Sequence, residues 1–202
     1  MRELPSNREI AIVLLAAGSS SRLGRSKQLL SVEGQPLLLK SINAATESGI
    51  KNIIVVLGAN AQAHRQAINQ TGIQVLVNSD WEKGMGNSLK AGLACLLQQT
   101  PKVEGIITMV CDQPLITSDQ LKKLIAEHDR SQSVIVASLY EGIAGVPVLF
   151  HRTLFPELLL LPDDAGAKKI LQQHVHLVKT VSFPGGEIDI DTEDDLKKIM
   201  LY

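Results

Sequence analysis

Ile10-Ala11-Ile12-Val13-Leu14-Leu15-Ala16-Ala17-Gly18-Ser19-Ser20-Ser21-Arg22-Leu23-Gly24-Arg25-Ser26-Lys27 joins an unbroken apolar run to a loop of glycines, serines and cations. Ile10 to Ala16 contains no polar position, so it predicts a strand buried on both faces, as at the centre of a parallel sheet. In the loop, two glycines and four serines let the backbone turn tightly and aim several N–H groups at one anion. Arg22, Arg25 and Lys27 fall within six residues, and the carboxylates before Glu33 are Glu3 and Glu9 alone. A strongly anionic partner close to the backbone, such as a triphosphate, suits this loop. The Walker pattern fails because Gly24 is followed by Arg25, and the dinucleotide fingerprint fails because three serines follow Gly18. A mobile, solvated strand–helix connection is the bland alternative.

Outward from that segment, strand-length apolar runs alternate with helix-period stretches. Strands are expected at 53–57, 73–77, 105–111, 134–138, 146–150 and 175–181. Helices are expected at 36–48, 61–69, 89–98, 117–128, 154–161 and 164–173. Ile188-Asp189-Ile190-Asp191-Thr192 alternates, which would put Asp189 and Asp191 on one strand face, ahead of a final helix at 196–201. The rhythm predicts an α/β fold, a mainly parallel twisted sheet with helices on both faces. With no repeats or linker, the 202 residues read as one domain, 1–202. Ligands of such sheets bind beyond the carboxyl ends of the strands, here just after Ala16, Val77 and Cys111.

With 45% hydrophobic residues the chain can build a large core, and 20 basic against 21 acidic residues argue against nucleic acid as a partner. Its apolar runs are too short to span a bilayer, so no membrane partner is expected. Two cysteines, Cys95 and Cys111, fit no metal spacing and read as core, in keeping with a reducing cytoplasm. The polar N-terminus carries no signal-peptide pattern.

Three further segments suit the same site. Gly84 and Gly86 allow close approach, and Asn87 and Ser88 offer hydrogen bonds near a helix start, or simply cap it. Trp81 is either a stacking surface or a packing residue. Asp112, at the mouth of a buried strand, suits a hard oxygen-seeking Mg²⁺ or else caps a helix. Asp189 and Asp191 are each a second metal ligand or a cap. His174 and His176 make too small a set for zinc.

Leu-Ala-Ala-Gly-x-Ser-x-Arg-Leu-Gly-x-x-Lys at residues 15–27 resembles the signature of the nucleotidyltransferases that activate sugars, isoprenoid precursors and molybdopterin. The order of Gly84-Met85…Ser88, Asp112-Gln113-Pro114 and Asp189-Ile190-Asp191-Thr192 is most similar to the molybdenum-cofactor cytidylyltransferases within the MobA-like NTP transferase family. The resemblance implies a Rossmann-like nucleotidyltransferase fold, with residues to about 115 binding nucleotide and about 116–202 binding acceptor. It implies catalytic roles for Arg22 and Lys27, and nucleotide contacts from Leu15, Ala16, Ala17, Gly18, Ser19, Gly84 and Ser88. Arg25 falls at a variable position and is left to long-range attraction. Mg²⁺ would be held by Asp112 and Asp191, with Asp189 in reserve. Gln113, Pro147, Asp164 and Lys168 would face the acceptor, although Val146 replaces a histidine of the family's Gly-His-Pro and Asp163-Asp164-Ala165-Gly166-Ala167-Lys168 departs twice from its element. Ala17 in the first loop implies CTP rather than GTP. The implied partners are CTP, molybdopterin as acceptor, and a molybdoenzyme or its chaperone as recipient. Two readings stay open beside this one: a sugar- or polyol-phosphate nucleotidyltransferase of the same fold, and a non-catalytic nucleotide- or pterin-binding sensor or chaperone.

Overall fold

The computed structural model describes residues 9–190 and residue 195. Nine strands and six α-helices follow one another among them: β1 (Ile10–Ala16), β2 (Ser31–Val32), β3 (Gln35–Pro36), α1 (Leu37–Glu47), β4 (Asn52–Leu57), α2 (Ala61–Ala67), β5 (Gln74–Val77), α3 (Met85–Gln99), β6 (Gly105–Val110), α4 (Ser118–Ser131), β7 (Ile135–Tyr140), β8 (Ile143–His151), α5 (Phe155–Leu159), α6 (Ala167–Gln173) and β9 (Val178–Ser182).

Seven strands form one sheet in the order β5-β4-β1-β6-β8-β7-β9. The β5-β4-β1-β6 half is parallel throughout, so the carboxyl ends of these strands share one rim. β8 runs antiparallel between β6 and β7, and β9 is again parallel to β7. The sheet is therefore mostly parallel, as its apolar runs imply.

β1 is buried at every position because the two faces of the sheet are both covered. Ile12, Leu14 and Ala16 pack with Leu38 and Ile42 of α1 and Leu121 and Leu124 of α4. Ala11, Val13 and Leu15 face the other way, onto Leu89, Leu93 and Leu96 of α3 and Leu158 and Ile170 of α5 and α6. Burying each of the valine, leucine and isoleucine side chains among these is worth about 1.5–3 kcal/mol, which makes β1 the spine of the fold.

Several boundaries differ from those read in the sequence. α3 begins at Met85, four residues before the apolar periodicity starts, and takes Gly86 and Asn87 into its first turn. α6 begins only after Gly166, not at Asp164. Residues 175–177 form a 3-10 turn, so β9 starts at Val178. Ser31–Pro36 makes a small hairpin, turned by Glu33 and Gly34, both at positive φ. Ile188–Ile190 is not a strand: Ile190 is buried with Leu23, Leu30, Val32 and Leu37 against that hairpin and loop. Asp191, Thr192 and the expected helix at 196–201 lie outside the described residues.

Candidate functional site

The loop after β1 is shaped by one buried residue that its sequence does not advertise. Gln28 is 1% exposed. Its Nε2 donates to the carbonyls of Gly18 (2.8 Å) and Ala16 (3.3 Å), while its Oε1 accepts from the hydroxyls of Ser26 (2.7 Å) and Ser20 (3.2 Å). Ser20 sits in the left-handed region at φ 57, a conformation that costs a non-glycine residue energy. It is held there because its hydroxyl also accepts the Lys27 backbone N–H at 3.1 Å. Ser26 is anchored in turn to His64 Nε2 of α2 at 2.6 Å. His64 is fully buried, and burial lowers its pKa below the ordinary histidine value. The loop is thus folded around a serine–glutamine–histidine network, which rules out a loose, solvated connection.

That network presents Lys27 to the end of β6. Its Nζ donates to Asp112 Oδ2 at 2.7 Å, joining the two cationic and anionic ends of the site across 85 residues. Asp112 follows Cys111, a residue 2% exposed whose thiol pKa is pushed up to about 12 by burial and then by the Asp112 carboxylate. Cys111 is inert core, as the sequence implies, whereas Cys95 is half-buried, outside the deep core.

Leu15, Ala16, Ala17, Gly18, Ser19, Lys27, Gly84, Ser88 and Asp112 all line one cavity of about 300 Å³, together with Gln28 and Trp81. A Cβ on Gly18 would meet no protein atom within 4 Å, so its bareness serves the open space and not packing. Gly84 is different. It has φ 127, and a Cβ there would come within 2.5 Å of the Asp163 carbonyl. Gly86 is likewise crossed by the backbone of Pro162 and Ala165. Both glycines let the 162–166 loop lie on the start of α3. Asn87 secures the same loop from its backbone N–H to the Asp163 carbonyl (3.0 Å) and does not cap the helix. Trp81 packs over Gly58 while keeping an edge in the cavity. A shallower hollow of about 440 Å³ beside α2 and Val77 carries none of the residues singled out in the sequence.

The remaining candidates distribute unevenly. Arg22 lies in a 3-10 turn at Ser21–Leu23, and its side chain is outside what the structure describes. Arg25 is exposed. Gln113, 4% exposed, donates to the carbonyls of Gly186 (2.7 Å) and Val146 (3.1 Å), beside the buried Pro147. Gln113 therefore ties the residue after Asp112 to the Val146–Pro147 stretch. Asp164 and Lys168 are exposed and do not line the cavity. Their neighbour Asp163 carries the contacts instead, accepting from Lys90 Nζ at 2.6 Å and Asn87 Nδ2 at 3.1 Å, bonds that lower its pKa. Asp191 is outside the described residues, but Ile190 donates its N–H to the Asp112 carbonyl at 3.1 Å, which brings the chain just before Asp191 to Asp112. Asp189 is exposed; burial holds the Tyr140 hydroxyl above its ordinary range, and the carboxylates of Asp189 and Asp112 push it the same way. Gln28, His64 and Asn78 are the site residues that sequence reasoning missed.

A parallel half-sheet with a backbone-lined cavity and an ion-paired lysine and aspartate at its carboxyl rim is the architecture of an α/β nucleotidyltransferase. The crystal structure of Rv0371c from Mycobacterium tuberculosis superposes with a TM-score of 0.85 at 33% identity, covering 96% of this chain and 98% of that one. Its complex with manganese superposes with a TM-score of 0.80 at 31% identity, with the same coverage. The chain belongs to the MobA-like NTP transferase family, whose domain model matches residues 12–178. Its relatives carry several names. Nicotine blue oxidoreductase of Paenarthrobacter nicotinovorans is 32% identical over 93% of this chain and 95% of its own. The purine catabolism protein PucB of Bacillus subtilis is 29% identical over 91% and 92%. The molybdenum cofactor cytidylyltransferase of Escherichia coli is 28% identical over 92% and 93%. Among the described residues no helix is long and apolar enough to cross a membrane.

Proposed function

We propose that the protein transfers a cytidylyl group from CTP to the phosphate of molybdenum-bound molybdopterin and releases pyrophosphate. The observation that carries this reading is the convergence of the β1 loop, Gly84, Ser88 and the Lys27–Asp112 pair on one cavity. Its support for CTP comes from Ala17, and for the pterin acceptor from Asp112-Gln113-Pro114 and the cytidylyltransferase among the relatives. On this reading one domain divides its labour near residue 115.

The acceptor's phosphate oxygen attacks the α-phosphorus in line, forming one P–O bond as the α–β bridge bond breaks. Little covalent chemistry falls to the protein, so positioning and charge stabilisation carry the rate. The N–H groups of the 17–19 segment and Lys27 hold the triphosphate, and Lys27 and Arg22 offset charge growing on pyrophosphate. Asp112 offers a hard carboxylate oxygen at the cavity wall, which fits Mg²⁺, with Asp191 as the second ligand. Bound there, Mg²⁺ would neutralise and polarise the α-phosphate. Lys27 and Asp112 thus bring opposite charges to one wall of the cavity, a cation for phosphate oxygens and a carboxylate for the metal. Gln113, next to Asp112, and Pro147 would face the acceptor, and Asp164 and Lys168 would meet it from the protein surface. The product passes to a molybdoenzyme or its chaperone.

The test is ligand-induced thermal stabilisation combined with turnover. CTP with Mg²⁺ at about a hundred times its dissociation constant should add roughly 2.7 kcal/mol, more than GTP adds. Lys27→Ala should lower kcat about a hundredfold or more, and Arg25→Ala far less. Equal stabilisation by GTP would remove the CTP assignment. The oxidoreductase name of the 32%-identical relative supports a second reading of the same cavity, favoured if redox turnover occurs without pyrophosphate release.

A further inference from the structure

A polar chain whose direction is fixed at both ends runs from the surface to the cavity wall. At the outer end the Asp163 carboxylate only accepts, and it takes hydrogen bonds from Lys90 Nζ (2.6 Å) and Asn87 Nδ2 (3.1 Å) on one oxygen. The Asn87 amide is thereby oriented with its Oδ1 towards Asn78, whose Nδ2 donates to it at 3.0 Å. On the other side the backbone N–H of the exposed Asp80 only donates, and it gives its proton to Asn78 Oδ1 at 3.0 Å. Both constraints agree on how Asn78 lies. Its Nδ2 must therefore face Ser88 Oγ, 3.1 Å away, and Ser88 accepts.

A serine hydroxyl has one proton and two lone pairs. With a lone pair taken by Asn78, the proton of Ser88 points elsewhere, and among the described residues no acceptor receives it. Ser88 is 3% exposed and lines the cavity. A buried donor without a partner is costly, so its partner should come with the ligand.

We propose that Asn78 is a specificity-positioning residue, which locks Ser88 as a hydrogen-bond donor into the cavity and so selects a nucleobase with an acceptor at that point. The inference rests on the CTP reading and deepens it. At ring position N3 cytosine offers a lone pair, where uracil of nearly the same shape offers an N–H. An N–H facing the Ser88 proton would leave two buried donors opposed. Mismatches of this kind discriminate by about tenfold or more. Asn78 touches no ligand itself; it acts through the direction it imposes on Ser88.

The experiment measures CTP and UTP dissociation constants with Mg²⁺ by calorimetry on the wild type, Asn78→Asp, Ser88→Ala and the double variant. Aspartate keeps the acceptor for the Asp80 N–H but turns an acceptor towards Ser88, which must then spend its proton on residue 78. Wild type should prefer CTP about tenfold or more, and Asn78→Asp should cut that preference at least about fivefold. In the Ser88→Ala background the same change should move the ratio less than about twofold, because the donor being steered is gone. A ratio unchanged by Asn78→Asp, or changed equally with and without Ser88, overturns the inference and leaves the CTP reading standing. A wild type with no preference for CTP over UTP overturns both. If Asn78→Asp does not fold, Ser88→Ala alone decides: it must narrow the ratio, and an unchanged ratio refutes the steering.

Discussion

Replacing Gln28 by methionine keeps an unbranched side chain of similar reach at a position 1% exposed and removes its four hydrogen bonds. The carbonyls of Ala16 and Gly18 and the hydroxyls of Ser20 and Ser26 lose their common partner. Each bond is worth about 0.5–1.5 kcal/mol net, and groups left dry cost more than groups that find water. Gly18 and Ser20 border open space, so water can replace part of the loss, and the total should be about 2–4 kcal/mol. At about 2–4 °C per kcal/mol for a chain of this size, Tm should fall by about 4–16 °C in a calorimetric scan. Ser20 would also lose one of the two bonds that hold it in the left-handed region, so the loop should relax and Lys27 drift from Asp112. Nucleotide affinity should then weaken by about tenfold or more, beyond what the lower Tm alone explains. A Gln28→Met protein with Tm within about 2 °C of wild type and unaltered nucleotide affinity would refute the view that this residue builds the loop.

Gly18→Ala and Gly86→Ala should behave oppositely: the first should leave Tm nearly unchanged while weakening nucleotide binding, because its methyl enters open space in the cavity. The second should cost about 1–3 kcal/mol in thermal unfolding, because its methyl meets the backbone of Pro162 and Ala165, which has nowhere to go. His64 has a pKa below 6.5, so between that lowered value and 6.5 the unfolded chain binds more protons than the native one. Stability should therefore be fully present above about pH 6.5 and decline as pH falls below it; denaturant midpoints across this range should vary less for His64→Gln, which can keep the bond to Ser26. Cys111, with its thiol pushed up to about 12, should resist alkylation of the folded protein at pH 8 while Cys95 reacts, as peptide mass mapping would show.

The centre of the fold was legible because β1 is apolar at every position, a pattern that only a doubly covered strand explains. Strand direction was not legible: β8 has the same apolar character as a parallel strand, yet runs antiparallel between β6 and β7. The hairpin at Ser31–Pro36 escaped because two-residue strands are too short to show alternation, although Glu33-Gly34 carries a turn. The start of α3 was hidden by Gly84 and Gly86, which read as loop but exist because another segment crosses them. Ile188-Asp189-Ile190 alternates like a strand, yet its isoleucines pack on Leu37 and Val32 without joining the sheet. In the site, Lys27 announced itself as a cation in the glycine–serine loop after β1, and Asp112 as a carboxylate just past the end of β6. Gln28 and His64 did not, since a polar residue that satisfies a distant loop leaves no mark in local spacing. Asn78 and Ser88 are ten residues apart and oriented by Asp163, far beyond any local pattern.

Nucleotidyl transfer itself is tested most directly by pyrophosphate release, measured for each of the four nucleoside triphosphates with Mg²⁺ and purified molybdenum cofactor. Wild type should release pyrophosphate with CTP, fastest of the four, and only when the pterin acceptor is present. Lys27→Ala and Asp112→Asn should each abolish most of that release while retaining a cooperative unfolding transition, since both side chains lie at the cavity wall and outside the hydrophobic core. Pyrophosphate release that requires a sugar phosphate, or release unaffected by Asp112→Asn, would contradict the account.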